Sequence, residues 1–183
     1  MIPLFTTFDY TIIKTKLGNF KSNKSPGPDK LHPRVLKELA NEICDPLNDI
    51  FSSSFNDSMI PDIWKCGNIA PIYKKGSKSD PANYRPVCLT TIFSKVMESI
   101  IRDNILFHLR SNNLLSNQQF DFISGRSTTL QLLNVTDNWL STLDHNGTVE
   151  VIYTDFRKAF DAVPHKRLLL KIIAFGITGK LLS

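Results

Sequence analysis

The stretch Asn68-Ile69-Ala70-Pro71-Ile72-Tyr73 and the stretch Tyr84-Arg85-Pro86-Val87-Cys88-Leu89 do most to limit what this chain can become. Both are short extended runs, and a polar tip from Lys74 to Ala82 holding Gly76, Ser77 and Ser79 separates them. Runs of this length bounded by turn formers read as the two arms of a β-hairpin. Pro71 cannot donate to a central ladder, which points to an edge. The expected hairpin is therefore basic at its tip.

Helical patterns stand on either side of it. From His32 to Phe55, residues Val35, Leu36, Leu39, Ile43, Leu47, Ile50 and Phe51 recur at spacings of three and four, with Pro46 expected to bend or break the run. From Thr90 to Asn112, Phe93, Val96, Met97, Ile100, Ile101, Ile105 and Leu109 form an apolar face. Ser127 to Leu143 reads as a further helix, and Pro164 opens another near His165 to Ala174 that Gly176 ends. Residues 1–24 carry weak signals and read as a frayed lead-in. Pro61-Asp62-Ile63-Trp64 is a short connector with an aromatic anchor. Hydrophobic residues make up 42% of 183, enough for a folded core.

The net charge is +5, and all of it falls between Lys65 and Lys95, where Lys65, Lys74, Lys75, Lys78, Arg85 and Lys95 face one acid, Asp80. Such a cluster is either a solvated surface or a phosphate-binding patch. Cys44, Cys66 and Cys88 fit no zinc spacing and read as reduced thiols of an intracellular protein. No apolar stretch is long enough to span a bilayer, and Met1-Ile2-Pro3-Leu4-Phe5 lacks the basic start of a signal peptide.

Asp155 ends the apolar run Val149-Glu150-Val151-Ile152-Tyr153-Thr154, which reads as a buried strand entered from the turn His145-Asn146-Gly147. A carboxylate in that place on a basic chain suits a divalent cation held against phosphate, since hard cations take oxygen ligands. The plainer alternative is an Asp that caps the next turn.

Five segments, in order, resemble the reverse transcriptases of non-LTR, LINE-like retrotransposons. They are Lys24-Ser25-Pro26-Gly27-Pro28-Asp29; Pro61-Asp62-Ile63-Trp64 with Ala70-Pro71-Ile72-Tyr73-Lys74-Lys75-Gly76; Asn83-Tyr84-Arg85-Pro86-Val87-Cys88-Leu89; Gly125-Arg126-Ser127-Thr128; and Tyr153-Thr154-Asp155-Phe156-Arg157-Lys158-Ala159-Phe160-Asp161-Ala162-Val163-Pro164-His165. The resemblance implies an α+β, helix-rich fold: right-hand polymerase fingers over residues 25–146, with a basic β-hairpin, and a partial palm over 147–183, truncated before the second catalytic strand pair. It implies RNA-directed DNA synthesis with an RNA template, a DNA primer and dNTPs, two Mg²⁺ ions, and a location in nucleus or cytoplasm as a ribonucleoprotein.

Residue by residue, the resemblance makes Asp155 the ligand of both ions, assisted by the carbonyl of Phe156. Lys74 or Lys75 with Arg85 would grip the triphosphate, because a guanidinium binds phosphate oxygens bidentately. Phe160 would lie beneath the incoming sugar and exclude a 2′-hydroxyl; core packing is the alternative for it and for Phe156. Arg126 would touch template or shape the pocket, with Ser127 or Thr128 as a helix N-cap. Asp161 reads better as a cap for the following helix.

Two departures stand out. Gln119-Phe120-Asp121-Phe122-Ile123 replaces the family's Gln-Phe-Gly-Phe-Arg, so Asp121 sits where glycine would supply unusual backbone angles, and a base is lost. The chain also holds no Asp-Asp pair. One carboxylate cannot hold two divalent ions, so the polypeptide alone is expected not to polymerise. The alternatives are a non-catalytic nucleic-acid-binding remnant and an unrelated phosphohydrolase, the latter disfavoured because Arg157 stands where a second acid would be needed.

Overall fold

The computed structural model describes residues 7–156 and 159–182. It is helix-rich with a single antiparallel pair of strands among those residues. The elements are α1 (Tyr10–Gly18), α2 (Pro33–Glu38), α3 (Ala40–Asn56), β1 (Asn68–Tyr73), β2 (Tyr84–Leu89), α4 (Ile92–Ser111), α5 (Thr128–Asp144) and α6 (His165–Ala174). They fall into two compact units, residues 1–108 with 172–183, and residues 109–171.

The first unit owns the core. Ile13 and Leu17 of α1, Leu36 of α2, Cys44, Leu47 and Phe51 of α3, and Ile92, Val96 and Ile100 of α4 form one buried cluster. Phe51 meets Phe8 at 5.6 Å and Trp64 edge-on at 5.7 Å between ring centroids. Trp64 is thus the aromatic anchor that its connector promised. Edge-to-face rings add to their area burial.

Helix boundaries follow local chemistry. Asp9 caps α1 through a hydrogen bond from the Thr11 backbone N–H, and Thr91 caps α4 by accepting from the Ser94 N–H at 3.2 Å. Residues 1–24 are therefore not simply frayed, because α1 lies within them and buries two residues completely enough to join the core. The weak signal is explained by its short length and by lysines between the apolar positions. The helix expected from His32 to Phe55 is interrupted at Leu39, not at Pro46, which sits inside α3. The change of direction leaves Leu39 exposed while Leu36 and Ala40 both reach the cluster.

The turn Ser25–Asp29 is locked by close approach. A Cβ on Gly27 would stand 2.6 Å from the Thr90 carbonyl oxygen and 2.8 Å from the Thr91 Cα. Only glycine lets the turn lie against the start of α4. The Lys16 ammonium of α1 and the Arg102 guanidinium of α4 both donate to the Asp103 carboxylate. Burial opposes ionisation of Asp103, but the hydrogen bonds from Lys16 and Arg102 outweigh it and hold its pKa below the ordinary carboxylate value.

The register of the strands is set by their prolines. Pro71 faces Pro86. Neither has an N–H, so this must be a non-hydrogen-bonded pair, and the pairs alternate outward from it. Ile72 with Arg85 is then hydrogen-bonded, and Tyr73 with Tyr84 is a close, non-hydrogen-bonded pair. The Tyr73 and Tyr84 rings accordingly meet at 5.6 Å, and the Lys74 N–H donates to the Asn83 carbonyl at 2.8 Å to continue the ladder.

The second unit has no buried residue among those described. Ser127 caps α5, accepting from the Leu130 N–H at 3.2 Å, and Leu130, Leu133 and Leu140 are exposed along it. The expected buried strand over 149–154 is not formed. The segment is unpaired, with Ile152 89% and Tyr153 85% exposed. A strand exists only through a partner's N–H and C=O groups, and none of the described residues supplies them there.

Gly27→Ala should destabilise the chain by about 1–3 kcal/mol through overpacking against backbone, read as a lowered Tm. The Asp103 contribution is complete above the ordinary carboxylate pKa and is lost as pH falls through the lowered one. Asp103→Asn should therefore flatten the stability loss seen on acidification below about pH 4.

Candidate nucleotide and metal site

The hairpin tip is tied down by its own side chains. The Tyr73 hydroxyl donates to the Gly76 carbonyl, the Tyr84 hydroxyl to the Lys78 carbonyl at 2.8 Å, and the Asn83 amide to the Ser77 carbonyl at 2.9 Å. Asp80 accepts from the Ala82 N–H at 2.9 Å. Gly76 has φ +89°, where a side chain would also strike Asn83. A run of polar and small residues would be mobile without these bonds; with them the tip is a shaped platform.

The register places Lys74. Side chains alternate along a strand, so Lys74 shares a face with Ile72 and therefore with Arg85, its cross-strand partner. Lys74 and Arg85 are diagonal neighbours, a separation of about 7–8 Å that one phosphate chain can bridge. Lys75 follows in the bend beyond the end of the ladder. The side chains of Lys74, Lys75 and Arg85 make no hydrogen bond or ion pair among the described residues, and all three are exposed. Lys78 differs: its ammonium lies over the Tyr73 ring at 5.8 Å.

Asp155, Phe156, Phe160 and Arg126 lie in the second unit. The Asp155 carboxylate is exposed and accepts no hydrogen bond among the described residues. It ends an unpaired segment, and Arg157 and Lys158 fall outside the described residues. Phe156 and Phe160 are each 80% exposed, so neither is a core residue here. The Phe160 ring stands edge-on to Phe122 at 6.2 Å. Asp161 is not the cap of the following helix: α6 begins at His165, and the Asp161 carboxylate accepts no hydrogen bond among the described residues.

Arg126 is committed to its own loop. Its guanidinium donates to the carbonyls of Ser116 (3.2 Å), Asn117 (3.1 Å) and Gln119, and to the Asn117 side-chain oxygen, while stacking on Phe120. The donors of a planar fork make this possible. The backbone angle expected to be unusual at Asp121 belongs to its neighbour: Phe122 has φ +63° and Asp121 does not. A bulky residue there costs of order 1–3 kcal/mol, and the Arg126 bonds to the same loop offset it.

For a magnesium ion, the Asp155 carboxylate and the Phe156 carbonyl are hard oxygen donors of the right kind. No group of three or more His, Cys, Asp or Glu converges among the described residues. The donors fit a share of one coordination shell and do not make a two-ion site complete in itself.

Sequence reasoning overlooked a second set of cations, Lys16, Lys21, Lys24 and Arg102, which line a groove with Lys95 in the first unit. They are dispersed along the chain, and no local pattern joins them.

Residues 72–182 match the model of the reverse transcriptase (RNA-dependent DNA polymerase) family, and the chain belongs to that family. It is 33% identical over 91% of its length to the Drosophila melanogaster protein named a probable RNA-directed DNA polymerase from transposon X-element. It is 29% identical over 87% of its length to the RNA-directed DNA polymerase from mobile element jockey of the same fly. It is also 27% identical over 93% of its length to the Bradysia coprophila retrovirus-related Pol polyprotein from type-1 retrotransposable element R1. The chain spans 17–18% of the length of these three relatives. It is thus a reverse transcriptase domain of the non-LTR retrotransposon kind, and no helix of the described residues is long and apolar enough to cross a membrane.

Arg126→Ala should loosen the loop over residues 116–126. Amide exchange there should speed up by about tenfold or more, consistent with the loss of charge-assisted bonds worth about 1.5–3 kcal/mol, while α4 keeps its protection.

Proposed function

We propose that this chain supplies the fingers and the first part of the palm of an RNA-directed DNA polymerase, and that the hairpin tip receives the triphosphate of an incoming dNTP. The observation that carries the reading is the diagonal placement of Lys74 and Arg85 on one face of a braced hairpin, both without a partner among the described residues, within the segment that matches the family. A platform braced by Tyr73, Tyr84 and Asn83 offers its cations without first having to order them, which lowers the entropic cost of binding.

In this reading the Asp155 carboxylate and the Phe156 carbonyl would be the oxygen donors that hold magnesium. The chemistry that bound magnesium would supply is activation of a primer 3′-hydroxyl and neutralisation of the charge on pyrophosphate. Phe160, with its face exposed, would lie beneath the sugar and disfavour a ribose. Arg126 acts as a positioning residue: its bonds to Ser116, Asn117 and Gln119 shape the loop that carries Phe122, which in turn touches Phe160. RNA template and DNA primer are the expected partners. With no Asp-Asp pair in its sequence, the chain supplies only part of the metal ligands.

Binding of a labelled dNTP with Mg²⁺ tests the reading. Arg85→Ala and Lys74→Ala should each weaken it by about tenfold or more, as expected for a lost charge-assisted bond, and Lys75→Ala should weaken it less. Equal binding by all three variants and the unaltered chain would remove the hairpin from the nucleotide site. A primer-extension assay with the 183-residue chain should show no incorporation.

A further inference from the structure

Between Lys37 and Lys65 the chain carries six acids, Glu38, Glu42, Asp45, Asp49, Asp57 and Asp62, and no lysine or arginine. In a chain of net charge +5 that is a strong segregation of sign. Glu42, Asp45 and Asp49 stand at i, i+3 and i+7 on α3 and are exposed along one face of it. That line of carboxylates leads to a groove of about 820 Å³ at the end of α3, which Asp49, Asp57 and Asp62 help to line. The base among the lining residues, Lys65, is already paired with Asp62 at 2.9 Å. Lys180 donates to the Asn56 side chain at 3.0 Å and does not line the groove. Asp57 accepts from the neutral Ser53 hydroxyl at 2.9 Å, and the Asp49 carboxylate makes no hydrogen bond or ion pair among the described residues.

The same groove presents apolar side chains to water: Ile50, Met59 and Ile60 are 46%, 71% and 55% exposed. Their exposure does not come from a loose loop. The Ser54 hydroxyl donates to the Met59 carbonyl at 2.6 Å, and the Met59 N–H donates to the Ser54 carbonyl at 3.0 Å. The loop that carries Met59 is thereby closed onto α3, with Ser58 at φ +53°. A surface shaped in advance binds at a lower entropic cost. Exposed aliphatic side chains beside uncompensated carboxylates fit a surface that is itself aliphatic and cationic. The carboxylates repel phosphate, so nucleic acid does not suit this groove.

We propose that this groove docks a lysine- or arginine-rich amphipathic helix of a partner protein. Its aliphatic side chains would settle on Ile50, Met59 and Ile60, and its cations would meet Asp49 and Asp57. A continuation along α3 would meet Asp45 and Glu42. Carboxylates three and four residues apart match cations at the same spacing on a helix laid alongside, which is why a helix suits the site. Met59 suits it too, because an unbranched thioether adapts to varied apolar shapes. The groove is built from residues 49–65 and shares none with the hairpin tip or with Asp155.

The test is fluorescence anisotropy of the full chain with a fluorescein-labelled helical peptide of Leu-Leu-Lys-Lys repeats, beside the same peptide with glutamate for lysine. The lysine peptide should bind saturably, and more weakly as salt rises. The glutamate peptide should not bind. Asp49→Asn combined with Asp57→Asn should weaken binding by about tenfold, as for two lost ion pairs. Asparagine keeps the oxygen that accepts from Ser53, so the loop stays closed. Met59→Ser combined with Ile60→Ser should weaken binding by a similar factor. Leu133→Ser, at an exposed leucine of α5, should leave it unchanged, which separates docking from general adhesion to apolar surface. The far-UV spectrum and Tm report the fold; if the serine pair unfolds, the asparagine pair decides. Unchanged binding in folded variants overturns the proposal, and so does equal binding of the glutamate peptide. A dimer in sedimentation equilibrium that Met59→Ser with Ile60→Ser converts to monomer also overturns it, because a second copy would then cover the groove.

Discussion

The burial of Phe51 against Phe8 and Trp64, inside the apolar cluster to which α1, α2, α3 and α4 all contribute, is the constraint on which the first unit depends. It joins segments that are far apart in the chain: the helix inside the first twenty residues, the long α3, the connector before the hairpin, and α4. Removing apolar surface from water is non-directional, so this cluster alone would not orient the hairpin. Orientation comes from the close seat of Gly27 on Thr90 and Thr91, immediately after β2 ends. Core and turn together place the foot of β2 beside α4, and the proline pair then determines which side chains the hairpin shows on each face.

The second unit stands in contrast. Its helix α5 is capped at Ser127, yet none of the unit's described residues is buried. Most helical stability in proteins comes from packing an apolar face rather than from propensity. Exposed leucines along α5 and the unpaired segment before Asp155 are surfaces that require a partner to be covered. The chain spans less than a fifth of the relatives it resembles, and the candidate metal ligand sits on this less supported unit.

Electrostatics is partitioned in the same way. Some cations are committed to structure: Lys16 and Arg102 to Asp103, Lys65 to Asp62 at 2.9 Å, and Arg126 to three loop carbonyls. Others, Lys21, Lys24, Lys74, Lys75 and Arg85, remain without a partner among the described residues. Net charge counts both kinds alike, whereas only the second kind is available to a phosphate.

The sequence by itself determined the hairpin, its basic tip, a cap at Ser127 or Thr128, the stop at Gly176, and the family. These depend on neighbours in the chain: turn residues, alternation, a 3.6-residue period, and motifs in order. Tertiary structure decided the break at Leu39, the burial of α1, the commitment of Arg126 and the shift of strain from Asp121 to Phe122. It also left the run before Asp155 unpaired, and it gathered four dispersed cations with Lys95 around one groove. Each of those depends on what a residue meets across space, because a strand needs another backbone to bond, a buried face needs another face, and charges far apart in the chain become a site only when folding brings them together.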